Sequence, residues 1–242
     1  MMRIAGIVST STVDVPGVPV SVLFTVGCNF SCPFCHNFEI CHPTAGNEVP
    51  LDEITEKLSR NILVEGVNIT GGEPTLQPQL VELVKKIRAR GIRYIGVDTN
   101  GSKPDIIQQL IGLVDRIAMD FKVPWEDYQR VSSSREDQEA VRNTLAFLSQ
   151  NFKGNFEVRT TVVRQYHTTE NLNSMARSLQ QLEFRGLWVL QEYQFSKGVN
   201  PKMKGLLYSW TRDEIYSIGH DLVKNNDLRI ALRTASCGFE KL

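Results

Sequence analysis

The chain has 242 residues, 41% of them hydrophobic and 22% charged, which supports a sizeable core and excludes wholesale disorder. Lysine plus arginine and aspartate plus glutamate stand at 27 each, so nothing in the charge balance marks nucleic acid or an anionic membrane as the main partner. The start Met-Met-Arg-Ile-Ala-Gly-Ile has no long apolar segment, and no stretch approaches about eighteen uninterrupted apolar residues, which predicts neither secretion nor a membrane span.

Residues Arg3 to Pro19, rich in Ser, Thr, Val, Gly and Pro, predict a short extended lead-in ending in a turn at Pro16-Gly17. The apolar run Val20 to Val26 then predicts a first strand. Its end delivers Gly27-Cys28-Asn29-Phe30-Ser31-Cys32-Pro33-Phe34-Cys35-His36-Asn37, three cysteines at the spacing Cys-x-x-x-Cys-x-x-Cys. A closed zinc site needs four ligands, whereas a four-iron cluster held by three thiolates keeps one iron open for a substrate or cofactor. Cys41 and His42 supply the extra donors that the zinc alternative would need, and on the iron reading they are loop residues over the cluster. Five cysteines, an odd number with three clustered, do not make a disulfide framework and point to a reducing cytoplasm.

A helix follows from about Leu51 to Leu63, with Ile54, Leu58 and Ile62 on one stripe. Gly66 to Thr70 predicts the second strand, which runs straight into Gly71-Gly72-Glu73-Pro74-Thr75 and a helix striped by Leu76, Leu80, Leu83 and Ile87, with Gly91 as its left-handed cap. Glycines let backbone approach a ligand closely, and a carboxylate at a strand end accepts hydrogen bonds from a ligand ammonium. The alternation continues: strand Ile92 to Asp98, helix Pro104 to Leu113, strand Arg116 to Asp120, helix Glu136 to Phe152, strand Phe156 to Val163, a helix carrying Leu172, Met175, Leu179 and Leu182, and strand Leu187 to Phe195. Beyond a Lys-, Gly- and Pro-rich loop, the capping box Thr211 with Glu214 starts a helix along Ile215, Ile218 and Leu222. Leu228 to Leu232 would be a last strand at one barrel edge, and Cys237 would sit in a frayed tail.

In parallel barrels chemistry collects at the C-terminal ends of the strands. Those ends carry Cys28, Cys32 and Cys35, then Glu73, Asp98 with Asn100, Asp120 with Lys122, Arg164 with His167, and Gln191 with Gln194. Asp98 and Asp120 would equally serve to cap βα turns. Arg159 and Thr160 lie inside a strand, and alternation places only one of the two toward the lumen.

The cysteine spacing, with the aromatic Phe34 before the third cysteine, resembles the radical S-adenosylmethionine superfamily, and Gly71-Gly72-Glu73-Pro74 one βα unit later resembles its second motif. The resemblance implies an α/β fold, a partial open (β/α)6 TIM-like barrel over residues 20–195, with an N-terminal extension (1–19) and a C-terminal extension (196–242), all in a single domain. It implies one 4Fe-4S cluster on Cys28, Cys32 and Cys35, whose open iron chelates S-adenosylmethionine and whose electron releases a 5'-deoxyadenosyl radical. It assigns Gly71, Gly72 and Glu73 to the methionyl amino group and Phe34 to packing against the adenine, with Asn100, Arg159, Thr160 and Gln191 as further cofactor-binding residues. Asp98 and Asp120 match positions that bind a monovalent cation in an activase for pyruvate formate-lyase.

Within the superfamily, Phe24-x-x-Gly27-Cys28, Cys35-His36-Asn37, Thr99-Asn100-Gly101 and Arg159-Thr160-Thr161-Val162-Val163 resemble activating proteins of anaerobic ribonucleoside-triphosphate reductase. Ser11-Thr12-Val13-Asp14-Val15-Pro16-Gly17 resembles the segment preceding the cluster loop in such activases. It departs from some of them in having Val15 where they carry glycine, and no Arg or Lys between Gly17 and Phe24. The implied substrate is a backbone glycine of a glycyl-radical protein, and the implied electron donor is a flavodoxin or ferredoxin. Two alternatives stand beside this reading: a radical enzyme acting on a small molecule, nucleoside or peptide, and a zinc-binding interaction module.

Overall fold

The computed structural model describes residues 1–132 and 134–242. Its frame is one ten-stranded sheet, made of β1 (Met2–Ser11), β2 (Val20–Thr25), β3 (Asn47–Val49), β4 (Gly66–Gly71), β5 (Tyr94–Thr99), β6 (Arg116–Asp120), β7 (Asn155–Val162), β8 (Leu187–Glu192), β9 (Arg229–Thr234) and β10 (Gly238–Lys241). The spatial order is β10-β9-β8-β7-β6-β5-β4-β2-β1-β3, so the sheet is open. From β2 through β9 all neighbours are parallel, and the pairings that involve β1, β3 and β10 are antiparallel.

Six helices make the crossovers: α1 (Leu51–Ser59), α2 (Leu80–Ala89), α3 (Pro104–Leu110), α4 (Arg135–Asn151), α5 (Thr169–Gln181) and α6 (Arg212–Asn225). Six βα units followed by β9 make the partial, TIM-like barrel anticipated from the sequence, and the parallel run continues into residues 196–242. The helices start where their polar caps lie. Ser134 accepts from the Asp137 N–H, and Thr168 with Asn171 and Thr211 with Glu214 form reciprocal capping boxes.

Strand alternation sorts each parallel strand into two faces. Val67, Ile69, Ile95, Val97, Ile117, Met119, Val158, Val162, Trp188, Leu190, Ile230 and Leu232 join the helix stripes, such as Leu80, Leu83, Val84 and Ile87 of α2, in one hydrophobic core. The opposite face carries Asn68, Asp98, Arg116, Glu157, Arg159 and Arg233, so the barrel interior is polar and ionic.

Several local expectations are revised. Helix α1 stops at Ser59, because Asn61 turns its side chain back to the Ser9 carbonyl at 2.5 Å and to the Leu63 N–H at 3.1 Å, and Ile62 is left 92% exposed rather than on the core stripe. The lead-in is a full strand, β1, hydrogen-bonded to β2 and β3. The segment after β9 is a hairpin whose turn holds exposed Cys237, not a frayed tail, since β10 pairs with β9 from Gly238 to Lys241.

Candidate functional site

The C-terminal ends of β2, β4, β5, β6, β7 and β8 surround one pocket. It is lined by Cys28, Cys32, Cys35 and Cys41, by Gly71, Gly72, Glu73 and Asn100, by Asp98, Asp120, Lys122 and Arg159, and by Phe34, Thr161 and Gln191. The cysteine loop is tied down on every side: the Ser31 N–H donates to the Val131 carbonyl (2.9 Å), the Asn29 amide to Asp137 (3.0 Å), and the Phe38 N–H to the Gly198 carbonyl (2.9 Å). Backbone N–H groups also reach two of the sulfurs, Phe30 to Cys28 Sγ at 3.4 Å and Asn37 to Cys35 Sγ at 3.3 Å.

The glycine pair holds the loop to the sheet. Gly71 and Gly72 let β4 press against the end of β2: the Gly72 N–H donates to the Thr25 carbonyl (3.0 Å) and the Glu73 N–H to the Gly27 carbonyl (2.8 Å). A Cβ on Gly72 would stand 2.1 Å from the Gly27 oxygen, and Gly71 has φ +126°, so neither position accommodates a side chain without displacing the start of the cysteine loop. The approach that the glycines permit is to neighbouring backbone, in addition to whatever occupies the pocket. The Asn37 amide closes the arrangement with a 2.8 Å bond to the Gly71 carbonyl.

Glu73 is 1% exposed. Its Oε1 accepts from the Thr75 N–H (3.0 Å) and hydroxyl and from the Thr99 hydroxyl (2.7 Å), while Oε2, among the described residues, accepts only the Asn100 N–H (2.6 Å). Burial pushes its carboxyl up, and the bonds from Asn100, Thr75 and Thr99 act against that rise. Glu73 is therefore a strut between β4 and β5 that retains one lightly used oxygen. Asn100 lies beside the loop, donating to Asn29 Oδ1 at 3.0 Å with Cys28 Sγ 3.9 Å from the same amide nitrogen.

Below the cysteines the lumen is filled by an ion network. Asp98 Oδ1 accepts from Arg116 (3.0 Å), and its Oδ2 from Arg159 (3.0 Å) and the Asn68 amide (3.0 Å). Glu157 accepts from Arg116 (3.1 Å) and Arg159 (2.5 Å). Burial alone would raise the Asp98 and Glu157 carboxyls, but the facing arginines outweigh it and hold both below the usual carboxylate range. This corrects the expected cation site: both Asp98 oxygens face donors that already carry positive charge. Asp120, the other expected ligand, is paired with Lys122 at 2.8 Å. A monovalent cation between them does not fit this network.

Thr160 is also corrected. It points away from the pocket, its hydroxyl donating to the Phe121 carbonyl (2.7 Å) and accepting the Trp188 indole N–H (3.0 Å), because alternation gives the lumen to Arg159 and Thr161. Thr161 was legible as the residue two along from Arg159 on the same face. Phe34 is buried against Tyr166 in an edge contact with centroids 5.2 Å apart, and Gln191 lines the pocket. Arg164 lies outside it, bonded to Glu214 at 2.5 Å, and exposed Gln194 meets His36 Nε2 only through its carbonyl (2.7 Å).

His167, past the end of β7 like Arg164, also lies outside the pocket. It is 1% exposed, with Nδ1 accepting the Val163 N–H at 3.1 Å and Nε2 donating to the Lys122 carbonyl at 2.9 Å, a bridge between the ends of β6 and β7. Burial lowers its pKa to about 4 from 6.5. The unfolded chain takes up a proton below about 6.5 that the folded chain refuses until about 4, so stability is complete above that window and falls through it as pH drops, by on the order of 3 kcal/mol. A His167→Gln variant is expected to show a flatter stability profile between pH 6.5 and 4 in urea titrations, and an unchanged slope would remove His167 as its source.

The thiols are chemically unlike. Burial pushes Cys32 up to about 12, while a hydrogen bond from Cys41 leads the causes that bring Cys35 down to about 6 and Cys28 below its ordinary value. Among the described residues no three His, Cys, Asp or Glu side chains are grouped so that they could hold one metal ion, which speaks against a mononuclear zinc site at Cys41 and His42. A multi-iron cluster spreads its thiolates over separate irons and needs no such convergence. Three cysteines lining one pocket, with N–H donors on two sulfurs, fit that group. No described helix is long and apolar enough to cross a membrane.

Comparison with known proteins bears on the same residues. The profile of the Radical SAM superfamily matches residues 22–180. A Methanocaldococcus jannaschii protein provisionally named a glycyl-radical enzyme activating enzyme is 29% identical over 244 residues, 98% of each chain. The pyruvate formate-lyase-activating enzyme of Clostridium pasteurianum is 36% identical over 98 residues, 38% of this chain and 41% of that one. Among solved structures, TYW1 with a lysine-pyruvate adduct bound superposes with a TM-score of 0.68 at 17% identity, over 92% of this chain and 79% of that one. A domain of pyruvate-formate lyase-activating enzyme from Bacteroides vulgatus gives a TM-score of 0.55 at 15% identity, over 69% and 98% of the two chains. At these identities the structural likeness concerns the fold.

Proposed function

The chain belongs to the Radical SAM superfamily, and from that premise we propose that it is a glycyl-radical enzyme activase whose acceptor is a backbone glycine of a partner protein such as anaerobic ribonucleoside-triphosphate reductase. Cys28, Cys32 and Cys35 would hold the 4Fe-4S cluster characteristic of the family. When bound, that cluster supplies the electron that cleaves the sulfonium of S-adenosylmethionine.

The chain's own groups have defined tasks in this reading. Gly71, Gly72 and the lightly used Oε2 of Glu73 receive the methionyl ammonium at the edge of the cysteine loop. Arg159 and Lys122 place positive charge near the carboxylate, and burial of both makes that charge count for more than it would in water. Phe34 offers an apolar wall for the adenine, with Asn100 and Gln191 as polar neighbours.

The observation that carries the proposal is the joining of the three-cysteine loop to the Gly-Gly-Glu turn through the Glu73–Gly27 and Asn37–Gly71 bonds, at the mouth of a barrel. The activase role draws support from the full-length relative named for that activity. Exposed Phe38, on the 3-10 turn that follows the cysteine loop, and Phe195, Leu206 and Tyr208, in the connection after β8, offer apolar surface for a protein substrate. Cluster potentials span roughly −700 to +450 mV and sulfonium reduction requires the low end, which calls for a low-potential donor, a flavodoxin or ferredoxin, in a reducing cytoplasm.

The test is anaerobic reconstitution with iron and sulfide, then dithionite and S-adenosylmethionine with and without purified glycyl-radical proteins. Expected results are 5'-deoxyadenosine and, with the right partner, a glycyl-radical signal in the electron paramagnetic resonance spectrum. Turnover of S-adenosylmethionine with no radical on any glycyl-radical protein would move the reading to a small-molecule, nucleoside or peptide substrate.

A further inference from the structure

Three cysteines satisfy the cluster motif, yet a fourth thiol stands among them. Cys41 ends the short 3-10 turn Phe38–Cys41 and is half-buried. Its place is set by backbone: the Gly27 N–H donates to the Ile40 carbonyl at 2.8 Å and the Cys28 N–H to the Cys41 carbonyl at 3.1 Å. These two bonds clamp the turn onto the residues that open the cysteine loop. Its sulfur lies 3.7 Å from Cys35 Sγ and 3.3 Å from the Asn37 carbonyl oxygen.

A thiol–thiol contact has no fixed direction while both sulfurs carry protons. When Cys35 is a metal ligand it has none, and only Cys41 remains able to donate. The Asn37 carbonyl competes for that proton, but a charged acceptor forms a hydrogen bond roughly twice as strong as a neutral one. Ligation by Cys41 is a poorer fit, because thiolates on separate irons of one cluster stand apart, whereas Cys41 and Cys35 are in contact.

Resting on the cluster reading above, we propose that Cys41 is a positioning residue whose S–H donates to the Cys35 ligand sulfur and raises the reduction potential of the cluster. A donor on a ligand sulfur stabilises the more negative, reduced cluster, and hydrogen bonds to the sulfurs are among the levers that set such potentials. Cys41 joins the N–H groups of Phe30 and Asn37 and the Asn100 side-chain amide in that role, and it is the side-chain donor beside Cys35.

The experiment compares wild type, Cys41→Ala and Cys41→Ser after reconstitution, by iron and sulfide content and by a redox titration of the reduced-cluster resonance signal without S-adenosylmethionine. All three are expected to bind the same iron. At the potential where wild type is half reduced, the reduced-to-oxidised ratio of Cys41→Ala should fall about fivefold, equivalent to about 1 kcal/mol, and that of Cys41→Ser, which keeps an O–H donor, by less. An unshifted midpoint in Cys41→Ala overturns the proposal. So does loss of iron from either folded variant, which would make Cys41 a ligand. If Cys41→Ala does not fold, Cys41→Val, which fills the same space without a donor, takes its place, and an unshifted midpoint in it overturns the proposal. A wild type that takes up zinc and no iron overturns the cluster reading itself, and this inference with it.

Discussion

Replacing Cys32 with alanine is expected to abolish S-adenosylmethionine cleavage and to strip the chain of its iron. Cys32 is the most deeply placed of the three proposed ligands, 9% exposed, and burial holds its thiol up near pKa 12. Such a thiol stays protonated at neutral pH unless a metal takes the proton's place, and on the proposed cluster reading that metal is iron. With alanine there, two ligand thiols remain, and bound iron should fall from about four per chain toward zero. Production of 5'-deoxyadenosine should drop to background, while the circular dichroism spectrum stays unchanged because a small buried side chain has been removed from a loop. Cys237→Ala is the matched control, since that exposed thiol sits in the β9–β10 turn away from the pocket, and it should keep full activity. Full cleavage by a folded Cys32→Ala protein would remove the cluster assignment.

The second large effect is on stability. Arg116 is fully buried in the lumen and bonded at once to Asp98, Glu157 and Asn68, with Arg159 closing the ring on the other side. Removing one partner of a buried ion pair leaves an uncompensated charge and costs about 3–5 kcal/mol. Arg116→Met should fall in that range by urea unfolding of the cluster-free protein at neutral pH. Asp98 and Glu157 have depressed folded pKa values, so their contribution is present above the ordinary carboxylate range and is lost as pH falls through the folded values. With Arg116 gone those values rise, and the acid limb of the stability curve should begin at higher pH. A loss below about 1 kcal/mol, with an unmoved acid limb, would show that Arg159 alone satisfies both carboxylates.

This network also explains why the expected cation position is occupied by protein charge. Asp98 and Asp120 stand at strand ends where a cation could be imagined from spacing, but the arginines that meet Asp98 come from β6 and β7 and the amide from β4. No local pattern announces that meeting. It arises because parallel strands in register bring Asn68 beside Gly96 and Asp98 beside Ala118, and so place lumen-facing groups from distant stretches of chain at one level.

What the sequence by itself determined is whatever depends on short spacing or on period. The Cys-x-x-x-Cys-x-x-Cys loop, the Gly-Gly-Glu turn, the alternation of strands with helices and the Thr211–Glu214 capping box are of this kind, because ligand spacing, tight turns and caps are settled within a few residues. The tertiary structure alone decided the facing and the company of the polar groups. Alternation said that either Arg159 or Thr160 faces inward, and packing of Thr160 under Trp188 chose Arg159 with Thr161. Glu73 became a strut because Thr99 and Asn100 arrive from the next strand, and His167 became a bridge because Lys122 lies just past the end of the strand beside its own. Cys41 came to rest against Cys35 because two backbone bonds fold its turn back over β2. Each of these outcomes depends on a partner many residues away or on a neighbouring strand. A buried polar group must find a hydrogen-bond partner there, and the fold alone settles which one it finds.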